Sequence, residues 1–148
     1  MAAAVRAPVH VFRCLVVNDL PIHCTGIRKV IERSVNELGF PSVTDCAYSE
    51  PETLDLWTRN GGYHITVMDF NMDPKKGDEI TRVLLKQHPD ALVVGCSSIK
   101  EPDVIQKCKE AGMQEVLPKD WIKVRQFILE RFKALFASWK DSESSAAP

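Results

Sequence analysis

Five short apolar runs alternate along this chain with segments whose apolar residues recur every three or four positions. The runs fall at residues 11–17, 42–48, 64–70, 91–96 and 115–117. Most are near-continuous, as expected of strands covered on both faces, and the second is weaker, with partial alternation. Between the first two, Ile27, Val30, Ile31, Val35 and Leu38 keep a helical period, and Gly39 follows where a helix would stop. Ser49-Glu50-Pro51-Glu52 has the spacing of a capping box and opens a short helix through Leu54 and Trp57. Ile80, Val83 and Leu84 mark a third helix, which ends before Pro89. Pro102 opens a fourth, carrying Val104, Ile105 and Cys108 to a stop at Gly112. Trp121, Val124, Ile128, Leu135 and Trp139 line a long fifth helix capped by Asp120. Strict strand–helix alternation implies an α/β fold: a five-stranded parallel sheet with right-handed crossovers and helices on both faces.

In such a sheet the reactive crevice lies outside the carboxyl ends of the strands. Asp19, Asp69, Ser97 and Lys119 all fall at or just past a strand end, which gathers them on one edge. The runs Cys14-Leu15-Val16-Val17-Asn18-Asp19 and Ile65-Thr66-Val67-Met68-Asp69 each deliver a carboxylate there. Two such acids rarely stabilise a fold, because each loses hydration and they repel by about 4 kcal/mol at roughly 4 Å and an effective dielectric near 20. A divalent cation between them would relieve both problems.

Composition narrows the function classes. The net charge is -1 over 148 residues, which gives no bulk attraction to nucleic acid or an anionic membrane. No apolar stretch approaches the roughly 20 residues that span a bilayer, and the start lacks the apolar core of a secretory signal. Residues 1–10 read as a loose leader, 11–140 as one folded domain, and the polar stretch 141–148 as a disordered tail. Five scattered cysteines, Cys14, Cys24, Cys46, Cys96 and Cys108, form no CxxC pair and read as free thiols in a reducing compartment. His10, His23, His64 and His88 are scattered, without a metal or base partner. Trp57, Trp121 and Trp139 sit on apolar helical faces and read as core.

The ordered pieces Leu15-Val16-Val17-Asn18-Asp19, Met68-Asp69-Phe70-Asn71-Met72 with Gly77, Gly95-Cys96-Ser97-Ser98, Glu110-Ala111-Gly112 and Val116-Leu117-Pro118-Lys119 resemble the receiver domain of two-component response regulators. The chain looks most like a single-domain, CheY-like regulator, over roughly residues 12–139. The resemblance implies the flavodoxin-like strand order 2-1-3-4-5. It makes Asp69 the phosphoacceptor, attacking a phosphohistidine phosphoryl group from a histidine kinase or histidine phosphotransfer protein. It makes Asp19, Asp69 and the backbone carbonyl of Asn71 the ligands of Mg²⁺, with Asn18 a further candidate through a metal-bound water. Lys119 would pair with Asp69 and then with a phosphoryl oxygen, and Ser97, rather than Ser98, would donate its hydroxyl. Read without the family, the same residues would be turn or capping acids, a surface lysine and a turn serine.

The chain departs from the family pattern at three places, and its first helix reads about one turn longer than usual. Asn18 stands where a second acid is usual, so the site has one negative charge fewer. Val116 replaces the switch aromatic expected three residues before the lysine. Asp120, not proline, follows Lys119, and the proline precedes it. The leading expectation is a stand-alone, cytoplasmic receiver that signals by phosphorylation-dependent binding of a target through the fourth helix, fifth strand and fifth helix. Chemotaxis and a phosphorelay are both open as pathways, and a monomer or weak dimer as the oligomeric state. Asn18 and Val116 motivate an alternative, a constitutive protein-binding module with weak or no phosphorylation. A remoter one is an aspartate-nucleophile phosphatase, against which Asn71 stands where a second acid would act.

Overall fold

A computed structural model describes the backbone of residues 10–146 and the side chains of residues 10–139. The elements run β1 (Phe12–Val17), α1 (Pro21–Glu37), β2 (Ser42–Ala47), α2 (Glu50–Arg59), β3 (Ile65–Met68), α3 (Gly77–Gln87), β4 (Val93–Cys96), α4 (Pro102–Ala111), β5 (Glu115–Leu117) and α5 (Trp121–Ala146). All strand pairings are parallel and the sheet order is β2-β1-β3-β4-β5, the order expected from the family.

Strand parity decides which core each residue enters. Phe12, Cys14 and Val16 of β1 face α1 and α5, packing with Cys24, Ile27, Ile31 and Val35 and with Val124, Ile128 and Phe132. Leu15 and Val17 point the other way, toward Trp57 of α2, Ile80 and Leu84 of α3 and Cys108 of α4. β3 and β4 are buried along their whole length, which is why they read as continuous apolar runs rather than alternating ones.

Local signals behave as their chemistry requires. Ser49 caps α2, its Oγ accepting from Glu52 N at 3.4 Å. Asp120 Oδ1 accepts from Ile122 N at 2.9 Å, capping α5. Gly112 ends α4 with a φ of 114°, a left-handed conformation.

Two expectations about α5 need restating. Trp121 is 39% exposed and is not core. It is the first residue of α5, and in that first turn Val124 takes the position against the core. Phe132 takes the place in the core stripe, four residues after Ile128. α5 also runs through Ala146, past residue 140, where the domain was expected to end. Extending an existing helix adds a hydrogen bond per residue with no new nucleation. Apart from His10, the leader lies outside the described residues. The His10 ring stacks on Trp139 with centroids 4.6 Å apart.

Candidate functional site

The acidic edge is built where two neighbouring strands stop together. Val17 of β1 is in register with Met68 of β3, and the next residues are Asn18 and Asp69. Asp69 N donates to Val17 O at 2.9 Å, which locks the two chain ends side by side. Here β1 connects outward to β2 while β3 leads the other way, the point at which open α/β sheets form a crevice. One step along the sheet, Cys96 pairs with Leu117, and Ser97 N donates to Leu117 O at 3.0 Å. The strand ends thus supply Asn18-Asp19, Asp69, Ser97 and Lys119 in sequence along one edge.

Asp69 is 4% exposed. Burial pushes its carboxyl pKa above the ordinary carboxylate value, and the charge of Asp19 pushes the same way. Lys119 and the backbone amides of Asn71 and Phe70 oppose the rise without cancelling it. Lys119 Nζ stands 3.8 Å from Asp69 Oδ1, close enough for charge attraction and too far for a hydrogen bond. Asp69 Oδ1 is accordingly buried with no hydrogen-bond partner. A buried, unpartnered carboxylate oxygen facing a cation at long range suits a site waiting for another positive or polar group.

The loop after β3 shapes this site from below. Gly77, the first residue of α3, lies so close to Asp69 that a Cβ there would fall 2.1 Å from the Asp69 carbonyl oxygen. Gly77 N donates to Phe70 O at 2.9 Å, and its own carbonyl accepts from Thr81 Oγ1 at 2.8 Å. In the sequence Gly77 is simply one member of the motif. Its steric necessity comes from a tertiary approach.

Asn18 is buried, and its Oδ1 accepts from Leu20 N at 2.9 Å, so the carboxamide holds the β1–α1 turn. Asp19 is only partly buried. Ser97 is 4% exposed, whereas Ser98 is exposed. Ser97 Oγ accepts from Ile99 N at 3.2 Å, which leaves its own hydrogen free to donate. Asn71 is exposed at the rim. Val116, at the switch-aromatic position, is partly buried against the α2–α3–α4 core, and both its methyl groups would lie 3.3 Å from a Cβ at Gly95. The sequence reading missed the Cys24 thiol, which donates to Asn18 O at 3.4 Å. Its one signal was position 24 in the stripe that continues through Ile27 and Ile31.

Among the described residues no three acidic, histidine or cysteine side chains converge to hold a metal. The oxygen donors that the strand ends offer are the carboxylates of Asp19 and Asp69, which follow β1 and β3. Hard oxygen donors in that number suit Mg²⁺, which keeps most of its waters. No described helix is long and apolar enough to cross a membrane.

The sequence model of the response regulator receiver domain matches residues 14–129. No curated protein matches by sequence. Among solved structures, a two-component response regulator of the LuxR family from Aurantimonas sp. SI85-9A1 is 24% identical with a TM-score of 0.69, over 87% of each chain. The receiver domain of a DNA-binding response regulator (merR) from Colwellia psychrerythraea 34H superposes with a TM-score of 0.72 at 13% identity, over 82% of this chain and 98% of that one. A chain of the CheX–CheY–BeF3–Mg complex from Borrelia burgdorferi gives a TM-score of 0.64 at 17% identity, over 84% of this chain and 89% of that one. At these identities the structural likeness establishes the fold.

Proposed function

Because this chain belongs to the response regulator receiver family of two-component systems, we propose that it accepts a phosphoryl group on Asp69 and signals through the conformation that this charge stabilises. The observation that carries the reading is Asp69 Oδ1, buried without a hydrogen-bond partner and 3.8 Å from Lys119 Nζ. An Asp69 oxygen attacks phosphorus, the bond from phosphorus to the donor's histidine nitrogen breaks, and that nitrogen keeps the electron pair. The transfer needs little covalent help from the protein and depends on positioning and charge neutralisation. Lys119 is placed to follow the negative charge from the carboxylate to a phosphoryl oxygen. Ser97 has the free hydroxyl hydrogen to donate to another. Asp19, Asp69 and the Asn71 carbonyl would hold Mg²⁺, whose chemistry is to neutralise the oxygens of the transferred group.

The phosphoryl donor is a histidine kinase or histidine phosphotransfer protein, and the target docks on α4, β5 and α5. With Val116 in place of an aromatic, the switch runs through the Ser97 loop and the β5–α5 edge rather than an aromatic rotamer. A phosphoryl group at Asp69 biases two arrangements of that edge, and the target binds one of them better.

Asn18 favours a second reading, a binding module with weak metal affinity. Asn18→Asp separates the two. It adds a charge beside the metal position, and it is expected to raise Mg²⁺ affinity about tenfold, equivalent to about 1.4 kcal/mol. Without Mg²⁺ the same variant unfolds at a lower temperature than wild type, because a third carboxylate joins the edge. Calorimetric titration and thermal unfolding with and without Mg²⁺ check both effects.

The function is tested by beryllofluoride, a phosphoryl mimic, with native mass spectrometry and Trp121 emission as readouts. Wild type is expected to take up one mimic only with Mg²⁺ present, and Asp69→Asn none. Equal uptake by both chains would contradict the assignment of Asp69. No uptake by either would favour the constitutive module.

A further inference from the structure

Cys24 of α1 and Cys46 of β2 pack into one core cluster where α1 covers the sheet beside the acidic edge. Cys46 is in register with Val16 of β1, and Cys24 Sγ lies 3.9 Å from Val16 O and 3.4 Å from Asn18 O. Paired residues of neighbouring strands point to the same side of the sheet, so Cys46 packs against the core cluster around Val16 that also holds Cys24. Cys24 is fully buried, while Cys46 is only partly buried at the margin of the same core cluster. A small oxidant therefore reaches Cys46 first, with the second thiol buried in the cluster it packs against.

The surroundings separate the two thiols chemically. The neighbouring Cys24 thiol holds the pKa of Cys46 below the ordinary thiol value, and the nearby Arg28 charge acts in the same direction. Burial, Asp45 and Glu32 oppose that shift. Cys14 is also near Cys46, but it is fully buried and raised by desolvation. The pair thus has a partly exposed member that an oxidant reaches and a buried member that resolves.

We propose that Cys24 and Cys46 are an oxidisable pair, in which a peroxide converts the two thiols into a disulfide that ties α1 to β2. Cys46 sulfur attacks one peroxide oxygen, the O–O bond breaks, and water leaves as Cys46 becomes a sulfenic acid. Cys24 sulfur then attacks the sulfenic sulfur, the S–O bond breaks, and a second water leaves. Two thiols lose two electrons in all, and one peroxide is reduced to two waters. The disulfide has no S–H, so Asn18 O loses the donor it has at 3.4 Å. Asn18 opens the turn that carries Asp19. On the reading of Asp69 as phosphoacceptor, oxidation therefore loosens the metal side of the acceptor site.

The test uses the reduced full chain treated with hydrogen peroxide, quenched by alkylation and mapped by peptide mass spectrometry. A Cys24–Cys46 linked peptide is expected as the main product, reversed by dithiothreitol. Cys46→Ser is expected to give none, and Cys24→Ser to leave a sulfenic acid at Cys46 that dimedone traps. No linked peptide from wild type, or one joining Cys14 instead, overturns the pair. Phosphoramidate labelling is then compared between oxidised wild type and identically treated Cys46→Ser. A several-fold lower rate in oxidised wild type is expected, and equal rates overturn the link to the edge. If the reduced chains do not label either, the phosphoacceptor reading fails, while the linked peptide still supports the pair.

Discussion

Gly77→Ala will destabilise the protein by about 3 kcal/mol, lowering its unfolding midpoint by roughly 10 °C. The new methyl carbon would lie 2.1 Å from the Asp69 carbonyl oxygen and 2.9 Å from both the Asp69 carbonyl carbon and Phe70 Cα. All three are backbone atoms, so no side chain can rotate away. Gly77 is itself held by the hydrogen bond of its N–H to Phe70 O at 2.9 Å and by Thr81 at its carbonyl. Relief must come from moving the β3–α3 loop, and with it Asp69. Gly26→Ala is the control, since nothing lies within 4 Å of its Cβ position. In the interior of α1 that change should stabilise by about 0.5–1 kcal/mol. Thermal unfolding followed by circular dichroism reads both. If Gly77→Ala unfolds at the wild-type temperature, the close approach of α3 to the acidic edge is wrong.

Asp69→Asn works in the opposite direction. The folded state holds Asp69 buried, with its pKa raised mainly by desolvation, so ionising it in the fold is harder than in the unfolded chain. A group of this sign favours the fold below the unfolded carboxylate value and loses that contribution as pH rises through the raised, folded value. At neutral pH the wild type therefore carries a penalty that the neutral amide removes. Lys119, its side chain 23% exposed, can turn to solvent when its partner's charge is gone. The variant is expected to be more stable by about 1–2 kcal/mol at pH 7, a rise of roughly 3–8 °C. The difference should shrink as pH falls and Asp69 becomes neutral in the wild type as well. Unfolding midpoints of both chains across this range test the sign. A variant less stable than wild type at pH 7 would mean that Lys119 and the loop amides outweigh desolvation.

The fold could be read from the chain because two periods alternate without ambiguity. Val16-Val17 and Val67-Met68 are too apolar for surface strands, and Ile27, Ile31 and Val35 keep helical spacing. The acidic edge could be read for the same reason, since a parallel sheet puts every strand's carboxyl end on one side. What could not be read depends on distances between elements. Trp121 looks like core in a helical stripe, yet in the first turn of α5 it is Val124 that is buried and Trp121 that is exposed. Gly77 gives no sign in sequence of its contact with Asp69. Cys24 and Cys46 are remote along the chain and meet only because β2 pairs with β1 under α1. In sequence Asn18 reads as a lost charge, but the hydrogen bond its Oδ1 accepts from Leu20 N gives the side chain a second task in the turn.

The most direct measurement is the intact mass of the chain after incubation with phosphoramidate, with and without Mg²⁺, followed by peptide mapping. Wild type should gain a single phosphoryl group, about 80 Da, only when Mg²⁺ is present, and the label should map to Asp69. Asp69→Asn should gain nothing under the same conditions. Labelling that persists in Asp69→Asn, or that maps to another residue in wild type, would contradict Asp69 as the phosphoacceptor.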